Sequence, residues 1–376
     1  MMQGKKSWLG LLMMAALMCV TGIVLFRGQP VSLLWACLKH LNPWFLLLGL
    51  ALMFGYVGCE ALCSRLILGR LGHKISYGHC LGYSFVGFYV SSITPSATGG
   101  QPAQIYYMSK DGIPAAHGAL NMMLIAACYQ VSALIWGGAV WMLFPAVRAV
   151  MGSGLGVFLL YGAGMMMVLT LGMAMVMFLP GPSRRICNKV LALLQALRIL
   201  RNPKAARERL DRHLAEYARG AVCIRKNPGL VLRVLLLCVV QLGMLFSVPW
   251  AVYLAFGLQG QSWIQVAGLQ ALLTLAVCNL PLPGAVGPAE VGFVTAFTAV
   301  FGAQLVTPAM LVSRGISFYA FLLISFAVAV GVHVRTSREA RNRALREMTS
   351  GQTGARVRAV RRYLNTRMEG TELPMA

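Results

Sequence analysis

Acidic residues are scarce in this chain: ten Asp and Glu stand against 33 Lys and Arg, and charged residues of both signs amount to 11% of 376 residues. An ordinary soluble domain carries about 25%, so a soluble globular fold is excluded. Three enzyme signatures are also missing: a glycine-rich nucleotide loop, a zinc-ligand spacing and a serine nucleophile elbow. Of the ten Cys, only Cys59 and Cys63 come close to one another, at helical spacing and without the His or acids that would complete a metal site. The cysteines read as small buried hydrophobes. No cofactor, metal or catalytic residue is expected. What fills the chain is apolar, with 58% hydrophobic residues and a mean hydropathy of +0.70. The fold class is an all-α polytopic membrane protein.

The net charge of +23 does not point to nucleic acid, because the basic residues crowd the short loops beside apolar runs, as the positive-inside rule requires. About 20 apolar residues cross the hydrocarbon. The first such run, 8–26, follows Lys5 and Lys6 and lacks the cleavage site of a signal peptide, so it reads as a span that starts in the cytoplasm. A segment at 31–41, with Lys39 and His40, is too short to cross and lies along the outer surface. Asn42 and Pro43 then restart the helix as N-cap and first-turn residue. Further full spans are expected at 43–66, 115–143, 154–179, 229–256 (kinked by Pro249) and 308–334.

Two other apolar stretches, 76–108 and 263–302, hold clusters of helix breakers. The first is TPSATGGQP at 94–102 and the second LPLPGAVGPAE at 280–290. Charge parity decides whether each crosses once or turns back. The segment 184–226 carries twelve Lys or Arg against three acids, and the tail from Arg335 carries ten Arg against four acids. Both lie in the cytoplasm only if 76–108 and 263–302 are re-entrant. The expected layout is about six full spans plus two oppositely oriented re-entrant broken hairpins, with both termini cytoplasmic. Three basic residues then fall outside (Arg27, Lys39 and Arg148), twenty-eight inside, and two, Arg233 and Arg314, within apolar runs. Opposed hairpins suggest an inverted repeat, inferred from topology without residue-by-residue similarity between the halves.

In domain terms, 1–335 is the membrane domain, with cytoplasmic interfacial helices inserted at 181–229, and 336–376 is a basic cytoplasmic tail. In the insert, Val190, Leu193, Leu194, Leu197 and Leu200 repeat at helical spacing, and Asn202 and Pro203 open a second helix with Leu210, Leu214, Tyr217 and Ala221 on one face. A connector anchored to anionic headgroups accounts for this pattern; a lipid-gathering role is the sharper alternative.

Helix breakers persist in lipid only where protein or trapped water satisfies the freed backbone groups, and paired broken segments point to a transporter's binding site. A half-helix that starts after each break offers N–H groups and a positive dipole end to a phosphate. The first break supplies Thr94, Gly99, Gly100 and Gln101, and the second Pro283, Gly284 and Gly287. The plainer reading is that Pro and Gly only kink packed spans, which leaves the charge parity unexplained. Glu290 and Arg314 are ionisable in apolar surroundings, where such groups face a cavity or one another. Either they form a buried structural pair, or Arg314 meets a lipid phosphate while Glu290 neutralises it in the empty state or receives a cationic headgroup. Glu60 is a weaker candidate with Arg65 as its expected partner. Tyr106, Tyr107, Tyr319 and Met165 to Met167 read as packing, and His79 and His117 have no nameable partner.

Thr94-Pro95 followed by Gly99, Gly100 and Gln101, then Pro281-x-Pro283-Gly284-x-x-Gly287-x-x-Glu290, then Arg314, resemble the motifs of the flippase-like family, the transmembrane region of lysylphosphatidylglycerol synthases. The resemblance covers about residues 8–335. Two positions depart from it: Gln101 stands where an acid is frequent, and Ala285 replaces a common third glycine. In the multiple peptide resistance factors, the resemblance implies, such a domain moves aminoacylated phosphatidylglycerol outward while a separate cytoplasmic domain makes that lipid. The tail beyond Arg335 is about 40 residues, too short for an acyltransferase core. The expectation is therefore a translocator and not an enzyme: a flippase for aminoacylated phosphatidylglycerol or a related anionic lipid in a bacterial cytoplasmic membrane, linked to antimicrobial peptide resistance. The alternatives are a lipid-modifying transferase and a scaffold for a separate synthase. Membrane phospholipids, anionic headgroups at the inner surface, a separate lipid synthase and a second copy of the chain are the partners this reading admits.

Overall fold

The computed structural model describes residues 39, 41–152, 156–178, 215–278, 280, 282 and 285–339. Among these residues the regular structure is helical throughout, without a strand. The expected first span at 8–26, most of the surface segment at 31–41, most of the interfacial insert and the tail from residue 340 lie outside the described residues.

Helix α1 (Pro43–Arg70) begins as its first residues dictate, with the Asn42 side chain accepting from the Trp44 N–H at 3.0 Å and Pro43 in the first turn. Next come α2 (Tyr77–Ile93), α3 (Gly100–Lys110), α4 (Ala115–Leu143), α5 (Pro145–Gly152) and α6 (Gly156–Phe178). After a helical stretch at 215–225, α7 (Pro228–Phe246) and α8 (Val248–Ala255) follow with a break at Ser247, where Pro249 supplies the expected kink. Asn227 behaves unlike Asn42: it makes no side-chain cap and donates instead to the Cys223 carbonyl at 2.7 Å. Helix α9 (Trp263–Val277) is followed by α10 (Pro288–Arg314), which runs into a π turn at Gly315–Ala320 and continues as helix through residue 339.

Five helical stretches among the described residues are long and apolar enough to cross a membrane: Pro43–Arg70, Ala115–Leu143, Gly156–Met177, Pro228–Ala255 and Pro288–Glu339. Straight, the last would measure roughly 78 Å at 1.5 Å per residue, more than twice the hydrocarbon thickness. It is interrupted at Gly302, whose φ of 76° and ψ of 159° lie outside the helical region. The chain thus has a break at the position where the sequence ends its second broken stretch.

Both broken stretches fold back on themselves. At 17 and 11 residues, α2 sits at the lower limit of span length, about 17 residues, and α3 falls below it; the two pack antiparallel. Gly100 lies so close to α2 that a Cβ would strike the Ser91 side chain and the Gly87 carbonyl, and a Cβ on Gly87 would strike Gln104. Farther along, the Tyr83 hydroxyl donates to the Asp111 carboxylate. Helix α9 pairs likewise with the first part of α10: a Cβ on Gly292 would lie 2.6 Å from Leu273 and 3.9 Å from Val277. Small residues at such crossings replace the hydrophobic driving force that lipid does not provide. Gly162 of α6 is the extreme case, since a Cβ there would overlap the Leu275 carbonyl of α9.

Contacts divide the chain into two units, Met1–Ala329 and Val330–Ala376. In the first, one buried cluster gathers around α9 and the start of α10, with Leu272, Ala276, Phe293, Phe297 and Phe301. Another joins α1, α4 and α7 to the first hairpin through Ile67, Tyr83, Met108, Leu124 and Val234. Tyr217 and Ala221, expected on one face, both join this second cluster. Trp44, Leu47, Val157, Leu160, Val168 and Leu171 stay exposed, as lipid-facing positions of α1 and α6 would be. The second unit is described over 330–339, a helical stretch with an Arg335–Glu339 ion pair at 3.7 Å.

Candidate functional site

The first break is held by its own side chains. Thr94 ends α2 in an extended conformation, donates its hydroxyl to the Val90 carbonyl at 2.8 Å and accepts the Gly99 N–H at 3.0 Å. Pro95–Ala97 forms a single 3-10 turn in which Ser96 (φ 50°) and Ala97 (φ 54°) take the left-handed region that costs non-glycine residues about 1–2 kcal/mol. Gly99 and Gly100 then let α3 start flush against α2. Thr94, Gly99 and Gly100 therefore shape the break, while Gln101, in the first turn of α3, lines the cavity behind it.

The second break carries the same strain at Ala285 (φ 51°), and Gly287 (φ 96°) precedes Pro288 at the start of α10. Pro283 and Gly284 lie outside the described residues. The Gly287 N–H, expected to face a phosphate, donates to Glu290 Oε2 at 2.6 Å, so the helix satisfies this amide with its own acid. The other oxygen, Oε1, accepts from Arg314 Nε at 2.8 Å, and the Tyr319 hydroxyl reaches it at 3.5 Å. Glu290 is 2% exposed and Arg314 16%. The Arg314 guanidinium also sits 4.6 Å from the Phe318 ring centroid, a cation–π contact. The pair foreseen in the sequence is thus present, with Tyr319, read there as packing, at its edge. Because a π turn begins just after Arg314, the helix is locally wider there, a feature frequent at functional sites.

A cavity of about 500 Å³ lies between the two breaks. From the first hairpin it is lined by Ser91, Ser96, Ala97, Gln101 and Gln104, from the second by Gln270, Thr274, Ala285 and Ala289, and from the last helix by Ser313, Arg314 and Ser317. Helices α1, α4 and α6 close it with Tyr56, Glu60, Tyr129, Gln130 and Met166. Of the residues proposed from sequence, Gln101 and Arg314 line this space. Glu290 and Gly287 brace Arg314 from behind.

The polar lining holds residues that sequence reading passed over. Gln104 Nε2 donates to Glu60 Oε1 at 2.8 Å, so Glu60 pairs across to α3 and not with Arg65. Thr170 donates to Gln130 Oε1 at 2.7 Å, and Gln270 and Thr274 meet at 3.4 Å. The signal is present in the sequence, since a buried amide in an apolar helix calls for a partner just as a charge does, yet outside the two breaks ionisable residues alone stand out as candidates. The two histidines left without partners have them: His79 Nδ1 meets Ser76 Oγ at 2.7 Å, and His117 Nδ1 meets His73 Nε2 at 2.8 Å. No group of three or more His, Cys, Asp or Glu suited to a metal occurs among the described residues.

Comparison with known proteins places the chain among membrane proteins. The chain is 31% identical over 94 residues to a UPF0104 membrane protein of Archaeoglobus fulgidus, a stretch that covers 25% of this chain and 28% of that relative. It thus spans under a third of the relative's length. The family described as the lysylphosphatidylglycerol synthase TM region matches residues 7–325, which includes both breaks, Glu290 and Arg314. With more than four-fifths of its length matched, the chain belongs to the lysylphosphatidylglycerol synthase transmembrane region family.

Proposed function

We propose that this protein is a lipid translocator, not an enzyme, which passes a phospholipid headgroup between leaflets of the cytoplasmic membrane through the cavity while the acyl chains remain in lipid. In this reading there are six full spans, the two helical hairpins are re-entrant from opposite faces, and both termini are cytoplasmic. One observation carries it: Arg314, an arginine in an apolar helix, lines a cavity of about 500 Å³ bounded by both helix breaks. That volume lies in the range of small-ligand sites, about 300–1,000 Å³. A guanidinium can hold two phosphate oxygens at once. The Glu290 carboxylate, tied to the Gly287 amide, keeps the arginine in place and balances its charge when no phosphate is present. Gln101 and the amides that open α3 add neutral donors on the opposite wall. Family membership supports a lipid-related membrane role, with aminoacylated phosphatidylglycerol or a related anionic lipid as the cargo.

Reconstitution into liposomes with fluorescent or aminoacylated phosphatidylglycerol tests the proposal. Headgroup movement without any added donor is the expected result. Formation of new lipid from an aminoacyl-tRNA or polyprenyl-linked donor would replace the reading with a transferase. Neither activity, together with co-purification of a synthase, would replace it with a scaffold.

A further inference from the structure

Glu60 lies in the same cavity but has no part in holding the phosphate. Its one polar partner among the described residues is Gln104, and it makes no ion pair there. The titratable groups that face it are Tyr56 on its own helix, Tyr129 on α4 and Cys238 on α7. None of these supplies a positive charge. Arg314 shares the cavity wall but is engaged by Glu290.

Gln104 is 4% exposed, and its Oε1 has no hydrogen-bond partner among the described residues. A buried acceptor without a donor is costly. To reach Glu60, the side chain passes over α2 at Gly87, the one residue type that leaves it room. Three elements are therefore arranged so that a primary amide meets a carboxyl group. A carboxylic acid and a primary amide are complementary: the amide N–H donates to one oxygen, and the acid O–H donates to the amide oxygen. The first of these bonds is present at 2.8 Å, and the unmet Gln104 Oε1 is the acceptor for the second.

We propose that Glu60 takes up and releases one proton in each transport cycle, with Gln104 as the amide that pairs with the protonated acid and passes its state to the first hairpin. An O–H bond forms at Glu60 Oε2 with a proton from water on one side of the membrane, and it breaks to return the proton to water on the other. No other bond changes. The inference rests on the translocator reading and adds an energy source to it.

Infrared difference spectra of the purified full chain, taken between neutral and acid pH, read the C=O stretch of a protonated carboxyl directly. With ten acids in the chain, few bands compete. A band that appears on acidification in the wild type, is absent in Glu60→Gln and is shifted in both Glu60→Asp and Gln104→Leu is expected. If Glu60→Gln does not fold, the two shifts carry the test. A spectrum with no band that responds to these substitutions overturns the proposal, whether or not the protein moves lipid. So does a Glu60 band that answers only to aminoacylated lipid, which would make this an ammonium site. In vesicles containing fluorescent phosphatidylglycerol and an internal pH dye, one proton per lipid lets a gradient of one pH unit shift the leaflet distribution up to about tenfold. Lipid movement with no response to the gradient overturns the coupling and leaves the translocator standing. Absence of lipid movement in the wild type overturns both.

Discussion

Replacing Glu290 and Arg314 singly and together separates structure from function at the site. The pair is dry on one side and lines the cavity on the other, at 2% and 16% exposure, with a 2.8 Å contact. Removing one member of such a pair leaves an uncompensated charge, at a cost of about 3–5 kcal/mol. In Glu290→Gln the amide can still accept from the Gly287 N–H, since Gln serves as well as Glu in a capping box; the loss is therefore electrostatic. In Arg314→Gln the contact with the Phe318 ring goes too, about 0.5–2 kcal/mol more. The double replacement by Gln removes both charges and keeps nearly the same volume, and neutral replacements of buried pairs are often harmless. Both single variants should fall by about 3 kcal/mol or more, roughly a hundredfold in the folding equilibrium, while the double variant returns to within ~1.5 kcal/mol of wild type. Reversible unfolding in mixed detergent measures this, and lipid movement in vesicles is read on the same samples. A well-folded double variant that moves no lipid supports the phosphate role of Arg314. Full lipid movement by that variant would sink the role, and single variants as stable as wild type would refute the electrostatic argument.

Arg314→Lys should express normally and lose most lipid movement, because an ammonium is a point charge and cannot hold two phosphate oxygens in one plane; transport at the wild-type rate would refute this. Gly100→Ala drives a Cβ against the Gly87 carbonyl, which is backbone and cannot turn aside, so stability should drop by about 1–3 kcal/mol and the first hairpin should open. Single Cys at Ser109 and Gly351 should label only from the cytoplasm and at Gln261 or Gln304 only from outside; labelling of position 109 from outside would remove the first re-entrant hairpin. Ala285→Gly should raise the melting temperature slightly, since relief of a left-handed alanine, about 1–2 kcal/mol, outweighs the backbone entropy of glycine, about 0.5–1 kcal/mol; a lower melting temperature would show that the Ala285 methyl packs usefully.

Much of this architecture was legible because lipid makes few patterns possible. Span-length apolar runs had to be helices, and the described helices at Pro43–Arg70, Ala115–Leu143, Gly156–Phe178 and Pro228–Ala255 start or end within a few residues of the runs. The breaks were legible for the same reason: TPSATGGQP cannot continue a helix, and its Gly99 and Gly100 lie where the chain turns back against α2. The pairing of Glu290 with Arg314 followed from the cost of isolated charge in apolar surroundings. What was hidden depended on distance through space. Nothing in one dimension brings Gln104 to Glu60, which are 44 residues apart, or sets Gln270 and Gln130 on the same cavity. An amide costs less to bury than a charge, so its presence in an apolar run is a fainter signal, and Gly87 carries no signal of its own until Gln104 is seen to cross it.

The departure of the second break from the family motif has its own physical content. A third glycine there is what a φ of 51° asks for, and this chain holds that conformation with Ala285. The first break does the same with Ser96 and Ala97. Strained residues persist only where their surroundings over-determine them, and all three line the cavity. Both breaks thus hold non-glycine residues at positive φ against the same space, where a plain kink in a packed span calls for glycine.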